Sequence, residues 1–354
     1  MASDPPTFET PALVIDEATA LRNIARFQAH CDRTGLKLRP HIKTHKSIRF
    51  ARAQIAAGAA GITCQKIGEA EVMADAGIDD ILITYNIIGA AKLARLRALA
   101  GRVKALSVVA DSAVVADGLS GAFGVAPRPL TVLVECETGA GRCGVQTPQD
   151  AVALGQKIAT LPGLRFGGLM TYPPVGDGAG VLDFMRAARA GLEARGIGCP
   201  EVSSGGSPDM WRAETGGVLT EYRAGTYIFN DRSLAERGTC AWSDCAAHVA
   251  ATVVSTPTGT RAIIDAGSKV LTSDLPDLGG FGHVIGHPGM RITGLNEEHG
   301  IIRHDPGDRL SVGDRVMIIP NHICVVSNML DSAWLRREGG KLTALPIDAR
   351  GRVI

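Results

Sequence analysis

The chain has 354 residues, 37 basic against 36 acidic side chains, a formal net charge of +1, and 4% aromatic residues. Such a balance supplies neither the long-range field nor the stacking rings that a nucleic acid needs, which excludes that class of partner. No apolar run is long enough to span a bilayer, and Met1-Ala2-Ser3-Asp4-Pro5-Pro6 lacks the basic region and apolar core of a signal peptide, so no membrane association and a cytoplasmic location are expected.

Single cores usually stop growing near roughly 250 to 300 residues, so two domains are expected. From Ala12 to about Phe229 short apolar runs alternate with longer amphipathic segments, the βα repeat of a parallel barrel. The strand pattern falls at Ala12–Asp16, Leu36–Lys43, Gly61–Gln65, Asp80–Tyr85, Val103–Val109, Leu130–Glu137, Leu164–Tyr172, Glu201–Gly205 and Glu221–Phe229. Helices fill the intervals, among them Glu17–Thr34, Ala90–Ala100 and Gly180–Arg195. Nine strands exceed the eight staves of a closed barrel, so the first run or one boundary is out of place. After about Arg237 valine-, isoleucine- and glycine-rich segments with short turns take over, such as His248–Ser255, Arg261–Asp265, Gly300–Arg303 and Arg315–Ile319. The expected class is α/β: an N-terminal (β/α)8 TIM-like barrel over residues 12–236, then a C-terminal β domain over 237–354 that includes the N-terminal 1–11. No glycine-, serine- or proline-rich linker separates them, so close packing is expected.

The eight cysteines, Cys31, Cys64, Cys136, Cys143, Cys199, Cys240, Cys245 and Cys324, form no Cys-x-x-Cys pair, so neither a disulfide framework nor a zinc-finger spacing is present. Most are expected to be reduced and buried. Cys324 stands apart, two residues after His322, a spacing that on a strand points both side chains to one face. An imidazole and a thiolate together suit Zn²⁺, although catalytic zinc usually has three protein ligands.

Chemistry concentrates at Arg39-Pro40-His41-Ile42-Lys43-Thr44-His45-Lys46. An ammonium crowded by cations or taken from water yields more readily to the free amine, the form that attacks an aldehyde, so Lys43 is a candidate Schiff-base lysine. The ordinary alternative for such a cluster is a solvated basic loop. Position favours the first reading. Leu36-Lys37-Leu38-Arg39 alternates like a strand and a helix-compatible run begins near Ser47, placing Lys43 at the strand-to-helix junction where α/β barrels carry their sites.

These residues, together with Gln65-Lys66-Ile67-Gly68-Glu69-Ala70-Glu71, Gly141-Arg142-Cys143-Gly144-Val145, Ser204-Gly205-Gly206-Ser207-Pro208, Arg223-Ala224-Gly225-Thr226-Tyr227, Glu297-Glu298-His299-Gly300 and Pro320-Asn321-His322-Ile323-Cys324, resemble the D-threonine aldolase and D-serine dehydratase family of pyridoxal-phosphate enzymes, whose barrel is similar to that of alanine racemase. The matches run in order along nearly the whole chain. The resemblance implies an imine at Lys43 and a pyridoxal 5'-phosphate seat. Ser204-Gly205-Gly206-Ser207 and Gly225-Thr226 offer hydroxyls, N–H donors and close backbone approach to its phosphate. By resemblance Arg223 faces the pyridine nitrogen; a salt bridge with Glu221 is the plain alternative. Arg142 is placed to meet the cofactor's phenolate oxygen, with Gln65 lining the same pocket. Tyr172, at a strand end before Pro173-Pro174, is either catalytic, a neutral partner for the ring nitrogen, or rim packing.

In the resembling family a histidine and a Cys or Asp two residues later bind a divalent ion, a role that falls on His322 and Cys324; Cys324 tilts the choice to Zn²⁺ over Mn²⁺ or Mg²⁺. The implied substrate is a D-3-hydroxy amino acid. Two outcomes stay open: retro-aldol cleavage of D-threonine to glycine and acetaldehyde, with His299 a candidate base at the hydroxyl, or elimination by a D-serine or D-3-hydroxyaspartate dehydratase to a keto acid and ammonia. His-x-Cys resembles the dehydratase branch, whereas Thr226-Tyr227-Ile228-Phe229-Asn230-Asp231-Arg232, Gly280-Phe281-Gly282-His283 and Asn296-Glu297-Glu298-His299-Gly300 resemble the aldolase branch, which is preferred. A non-lyase pyridoxal-phosphate binding protein of this barrel would lack the second domain, and a racemase would need a tyrosine after Tyr227, where none occurs. The family also implies a head-to-tail homodimer, with His322, Cys324 and His299 approaching Lys43 of the partner.

Overall fold

The computed structural model describes residues 8–275 and 278–354, so most of the expected 1–11 extension lies outside the described residues. Two compact units are present. One comprises Ile24–Lys43, Ser47–Gly225 and Arg352–Ile354; the other comprises the described residues of Met1–Asn23, Thr44–Lys46 and Thr226–Gly351. The chain passes between the units at 23/24, 43/44, 46/47, 225/226 and 351/352.

In the first unit eight parallel strands pair in the order Lys37–Leu38, Glu221–Tyr222, Glu201–Ser204, Leu164–Thr171, Leu130–Cys136, Ala105–Ala110, Asp80–Ile83, Ile62–Cys64. A parallel bridge between His41 and Thr63 closes the ring, with Thr63 N–H donating to Pro40 O and Ala60 N–H to Leu38 O, both at 2.8 Å. Strands covered by helices outside and packed inside read as near-continuous apolar runs: every residue of Leu130–Cys136 except Thr131 is buried. Leu82, Val109, Leu133 and Met170, from four neighbouring strands, form one buried cluster. Registers that pair Val109 with Leu133 and Glu135 with Met170 put alternate residues of these strands on that same inner face. Helices Glu17–Thr34 and Ala90–Ala100 have the expected bounds. Two strands are shorter than their apolar runs, one because Pro40 brings no N–H to the ladder, the other because the chain turns into a 3-10 helix at Thr226–Ile228.

The second unit is a nine-stranded, mostly antiparallel sheet around the long strand Ala247–Thr258. The expected strands Gly300–Arg303 and Arg315–Ile319 are present with those bounds. Ala12–Asp16 belongs here and not to the barrel. It pairs antiparallel with Ala247–Thr258 (Val14 opposite His248) and parallel with Ser332–Arg336 (Val14 opposite Trp334). Its apolar side packs with Phe8 and Ala250, so the ninth barrel strand disappears. A short apolar run announces a buried strand without saying which sheet buries it.

None of the eight cysteines is in a disulfide; Cys143 is exposed, Cys240 and Cys324 are half-buried and the other five are buried. Among the described residues no helix is long and apolar enough to cross a membrane.

Candidate active site

The C-terminal ends of the barrel strands gather the expected residues. Lys43 sits half-buried in a 3-10 turn, Ile42–Thr44, between the strand Lys37–Leu38 and the helix Ile48–Ala56. Its N–H donates to Nδ1 of His41 at 3.3 Å, while His41 Nε2 bonds Gln65 Oε1 at 3.0 Å and Gln65 Nε2 donates to Thr84 O at 2.9 Å. His41 thus ties Gln65 to the Lys43 turn.

Arg223 is buried and fixed at both terminal nitrogens: Nη1 donates to Ser203 Oγ at 2.5 Å and Nη2 to Thr171 O at 2.6 Å. Burial draws its pKa down, with Glu221 and Glu135 opposing; a guanidinium stays charged regardless. The direct salt bridge with Glu221 is absent. Glu221 instead accepts from Ser203 Oγ at 2.5 Å and pairs with Arg39 Nε at 2.6 Å, and Arg39 Nη1 reaches Asp80 at 2.6 Å. A polar column therefore runs Asp80, Arg39, Glu221, Ser203, Arg223, of which the sequence reading gave a site role to Arg223 alone.

Gly205, at φ +138°, lies so close to the Arg223 backbone that a Cβ would run into it. Arg223 N–H donates to Ser204 O at 2.8 Å across this contact. The turn Ser204-Gly205-Gly206-Ser207 is thereby pressed onto the next strand end, with Ser204, Ser207 and Gly225 all buried. Gly205→Ala is expected to destabilise the protein by about 3 kcal/mol through strain and overpacking, read as a fall in the denaturant midpoint at unchanged slope.

Tyr172 is on the rim, 36% exposed, with its ring against Gly206 and the Arg142 guanidinium 4.2 Å from the ring centroid. The Arg142 loop wraps a carboxylate. Glu137 accepts from Gly139 N–H and from Arg142 N–H, the latter at 2.7 Å. Burial would raise the pKa of Glu137, but these amides together hold it below the usual range. Arg142 itself is exposed, its guanidinium free to meet an anion.

The second unit holds the expected metal pair. His322 and Cys324 are not on a strand: Arg315–Ile319 ends at Pro320, and His322 is the N-cap of the helix Ile323–Met329. The carboxylate of Asp231, fully buried, organises this corner. Its Oδ1 accepts from Ser233 Oγ at 2.6 Å and Leu234 N–H at 3.2 Å; its Oδ2 accepts from His322 Nδ1 at 3.0 Å and Ile323 N–H at 3.2 Å. A histidine tied through Nδ1 to a carboxylate leaves Nε2 for a metal. The Cys324 thiolate first, then Asp231, outweigh burial and push the His322 pKa up to about 11. Cys324 Sγ lies 3.1 Å from Thr44 Oγ1 and 3.6 Å from Thr226 Oγ1, the residues that follow Lys43 and Gly225 in the same chain. Among the described residues no three His, Cys, Asp or Glu side chains gather as a metal cluster.

His299 is brought to none of these groups. It is exposed at the turn between Arg291–Leu295 and Gly300–Arg303. That turn is pinned by Ser268 N–H to Asn296 O, 2.8 Å, and by Lys269 N–H to Glu297 O, 3.1 Å.

Comparison with known proteins gives the same frame. The family described as "Alanine racemase, N-terminal domain" matches residues 15–233, and a "Putative serine dehydratase domain" matches residues 246–335. The chain is 36% identical to the D-threonine aldolase of Arthrobacter sp, over 97% of this chain and 93% of that one. It is 35% identical to the D-threo-3-hydroxyaspartate dehydratase of Delftia sp. (strain HT23), over 90% and 91%. The crystal structure of D-threonine aldolase from Filomicrobium marinum superposes with a TM-score of 0.89 at 33% identity, covering 98% and 97% of the two chains. With the fold and both domains matched nearly from end to end, this chain belongs to the D-threonine aldolase and D-serine dehydratase family built on the alanine racemase barrel.

Proposed function

We propose that the protein is a pyridoxal-phosphate- and divalent-metal-dependent lyase of D-3-hydroxy amino acids that cleaves D-threonine to glycine and acetaldehyde. The end-to-end likeness to a D-threonine aldolase carries this reading. The residues fit both groups. The buried hydroxyls of Ser204 and Ser207, beside a glycine that a Cβ would block, suit a phosphate, and the imidazole and thiolate of His322 and Cys324 suit zinc.

When bound, the cofactor supplies the electron sink for a bond broken at the substrate's α-carbon and the ion a Lewis acid at the neighbouring hydroxyl. The chain does the rest. Lys43 is the amine that would hold the cofactor's aldehyde. Arg223, which keeps its proton, would face the ring nitrogen as a donor, its angle set by Ser203 and the Thr171 carbonyl. Arg142, backed by Tyr172, would meet an anionic oxygen at the rim. His322 and Cys324 would hold the ion, with Asp231 orienting the imidazole. His299 remains the proposed base at the hydroxyl.

Cys324 in place of a carboxylate favours the second reading, a D-serine or D-3-hydroxyaspartate dehydratase. Stereochemistry and metal dependence test the class as a whole: with pyridoxal phosphate and Zn²⁺ or Mn²⁺, D-threonine is consumed, L-threonine is not, and a chelator stops the reaction until metal is restored. Turnover untouched by complete metal removal overturns the metal assignment.

A cytoplasmic head-to-tail homodimer is part of the proposal. In that dimer His322 and Cys324 approach the partner's Lys43, so Lys43→Ala and His322→Ala subunits, mixed under conditions of verified exchange, are expected to recover about a quarter of wild-type activity, from the one intact site of each mixed dimer. No recovery beyond either variant alone would remove the support for shared sites.

A further inference from the structure

The mechanism above leaves Glu135, a buried acid of the barrel, unused. Glu135 is 6% exposed, near the end of the strand Leu130–Cys136, and its carboxyl has no hydrogen-bond partner among the described residues. Its register with Met170, two residues beyond Leu133, turns it to the inner face above the apolar cluster. The column beneath it is already neutral, since the guanidinium groups of Arg39 and Arg223 are matched by the carboxylates of Asp80 and Glu221. A further anion at this level has no counter-charge of its own. The charged groups around it are Asp111 from the adjacent strand end, Arg223 from the strand-end segment after Tyr222, and Arg142 and Glu137 from the loop after its own strand. Burial first and Asp111 second push its pKa up to about 7, against Arg223 and Arg142.

We infer that Glu135 is the proton-linked residue of the barrel mouth, taking one proton from solvent when an anionic ligand seats beside Arg142 and Arg223, so that ligand affinity and the charge of this one carboxyl are coupled. The inference rests on the reading of the mouth as the cofactor seat. A carboxylate repels an incoming phosphate or phenolate, whereas the carboxylic acid does not and can donate to it; by linkage the ligand raises the acid's proton affinity as much as the proton raises the ligand's. Nothing about the covalent chemistry changes.

The test is the affinity of the full-length apoprotein for pyridoxal 5'-phosphate, followed by absorbance from pH 6 to pH 9, in wild type and Glu135→Gln. The cofactor's own ionisations are common to both proteins, so the ratio of their dissociation constants isolates Glu135. Wild type is expected to match the variant near pH 6 and to bind on the order of tenfold more weakly by pH 8. Glu135→Met, which also removes the charge, must give the same rising ratio and stands in should the glutamine variant misfold. A ratio that stays flat across this range while both proteins bind overturns the coupling alone. No binding by wild type at any pH overturns the cofactor seat, and the coupling with it.

Discussion

Lys43→Ala is expected to lower kcat for D-threonine cleavage by roughly 10⁴-fold, the upper end of what a positioned acid or base contributes, while leaving the fold intact. The side chain is half-buried and lies in a 3-10 turn whose backbone is held by His41, so truncation removes an amine without removing a structural bond. Far-ultraviolet circular dichroism and the denaturant midpoint should match wild type, and the absorbance band that pyridoxal phosphate gains on joining an amine should be lost. Because the loss falls on an attacking group and not on substrate contacts, kcat moves far more than KM. A variant keeping more than a tenth of wild-type turnover would remove Lys43 from the reaction.

The second large effect belongs to Asp231, which the sequence shows only inside a family motif and with no role of its own. Asp231→Ala leaves the Ser233 hydroxyl, two backbone amides and His322 Nδ1 without their shared acceptor, all at a fully buried position. Losing one helix cap costs about 1 kcal/mol, and stranding the other donors brings the expected destabilisation to about 3 kcal/mol. Metal affinity should fall roughly 10- to 100-fold, because the imidazole loses the group that orients it. Asp231→Asn separates the two effects: its carbonyl oxygen can still cap Leu234, but its amide meets the Ile323 N–H as donor against donor. That variant should keep part of the stability and little of the metal affinity. Equal zinc affinity in wild type and both variants, measured by competition with a chromogenic chelator, would detach Asp231 from the metal site.

The contrast between these two residues shows what the amino-acid pattern reveals. Lys43 announces itself through local neighbours: an alternating strand, a proline, a cluster of bases and a helix start all fall within ten residues. The helix Glu17–Thr34 is equally legible, with an acid in its first turn and a base in its last. Asp231 and Arg39 are different, because each derives its role from partners far along the chain. Asp231 meets His322 across 91 positions, and Arg39 meets Glu221 across 182; no local pattern carries such pairings. An Asp followed by Ser233 and Leu234 was a helix-cap signal that could have been read, though not its reach to His322. The same limit explains Cys324. His-Ile-Cys-Val-Val is β-branched enough to look like a strand, yet Pro320 ends the ladder and Asp231 receives the amide that begins a helix. Ala12–Asp16 is ambiguous for another reason, since five apolar-rich residues fit either sheet until the register with Ala247–Thr258 is known.

The charge column inside the barrel has a further consequence for Arg223. Its angle is set by Ser203, which is in turn held by Glu221, so the position of the guanidinium depends on a buried hydroxyl. Family likeness places an arginine here; only the hydrogen bonds explain why it stays put.

The most direct single measurement is the product ratio from D-threonine with purified protein, pyridoxal phosphate and Zn²⁺, quantifying acetaldehyde and glycine against ammonia and 2-oxobutanoate in one reaction. The account predicts acetaldehyde and glycine in equal amounts with negligible ammonia. Stoichiometric ammonia and 2-oxobutanoate would contradict it and make the protein a dehydratase on the same scaffold.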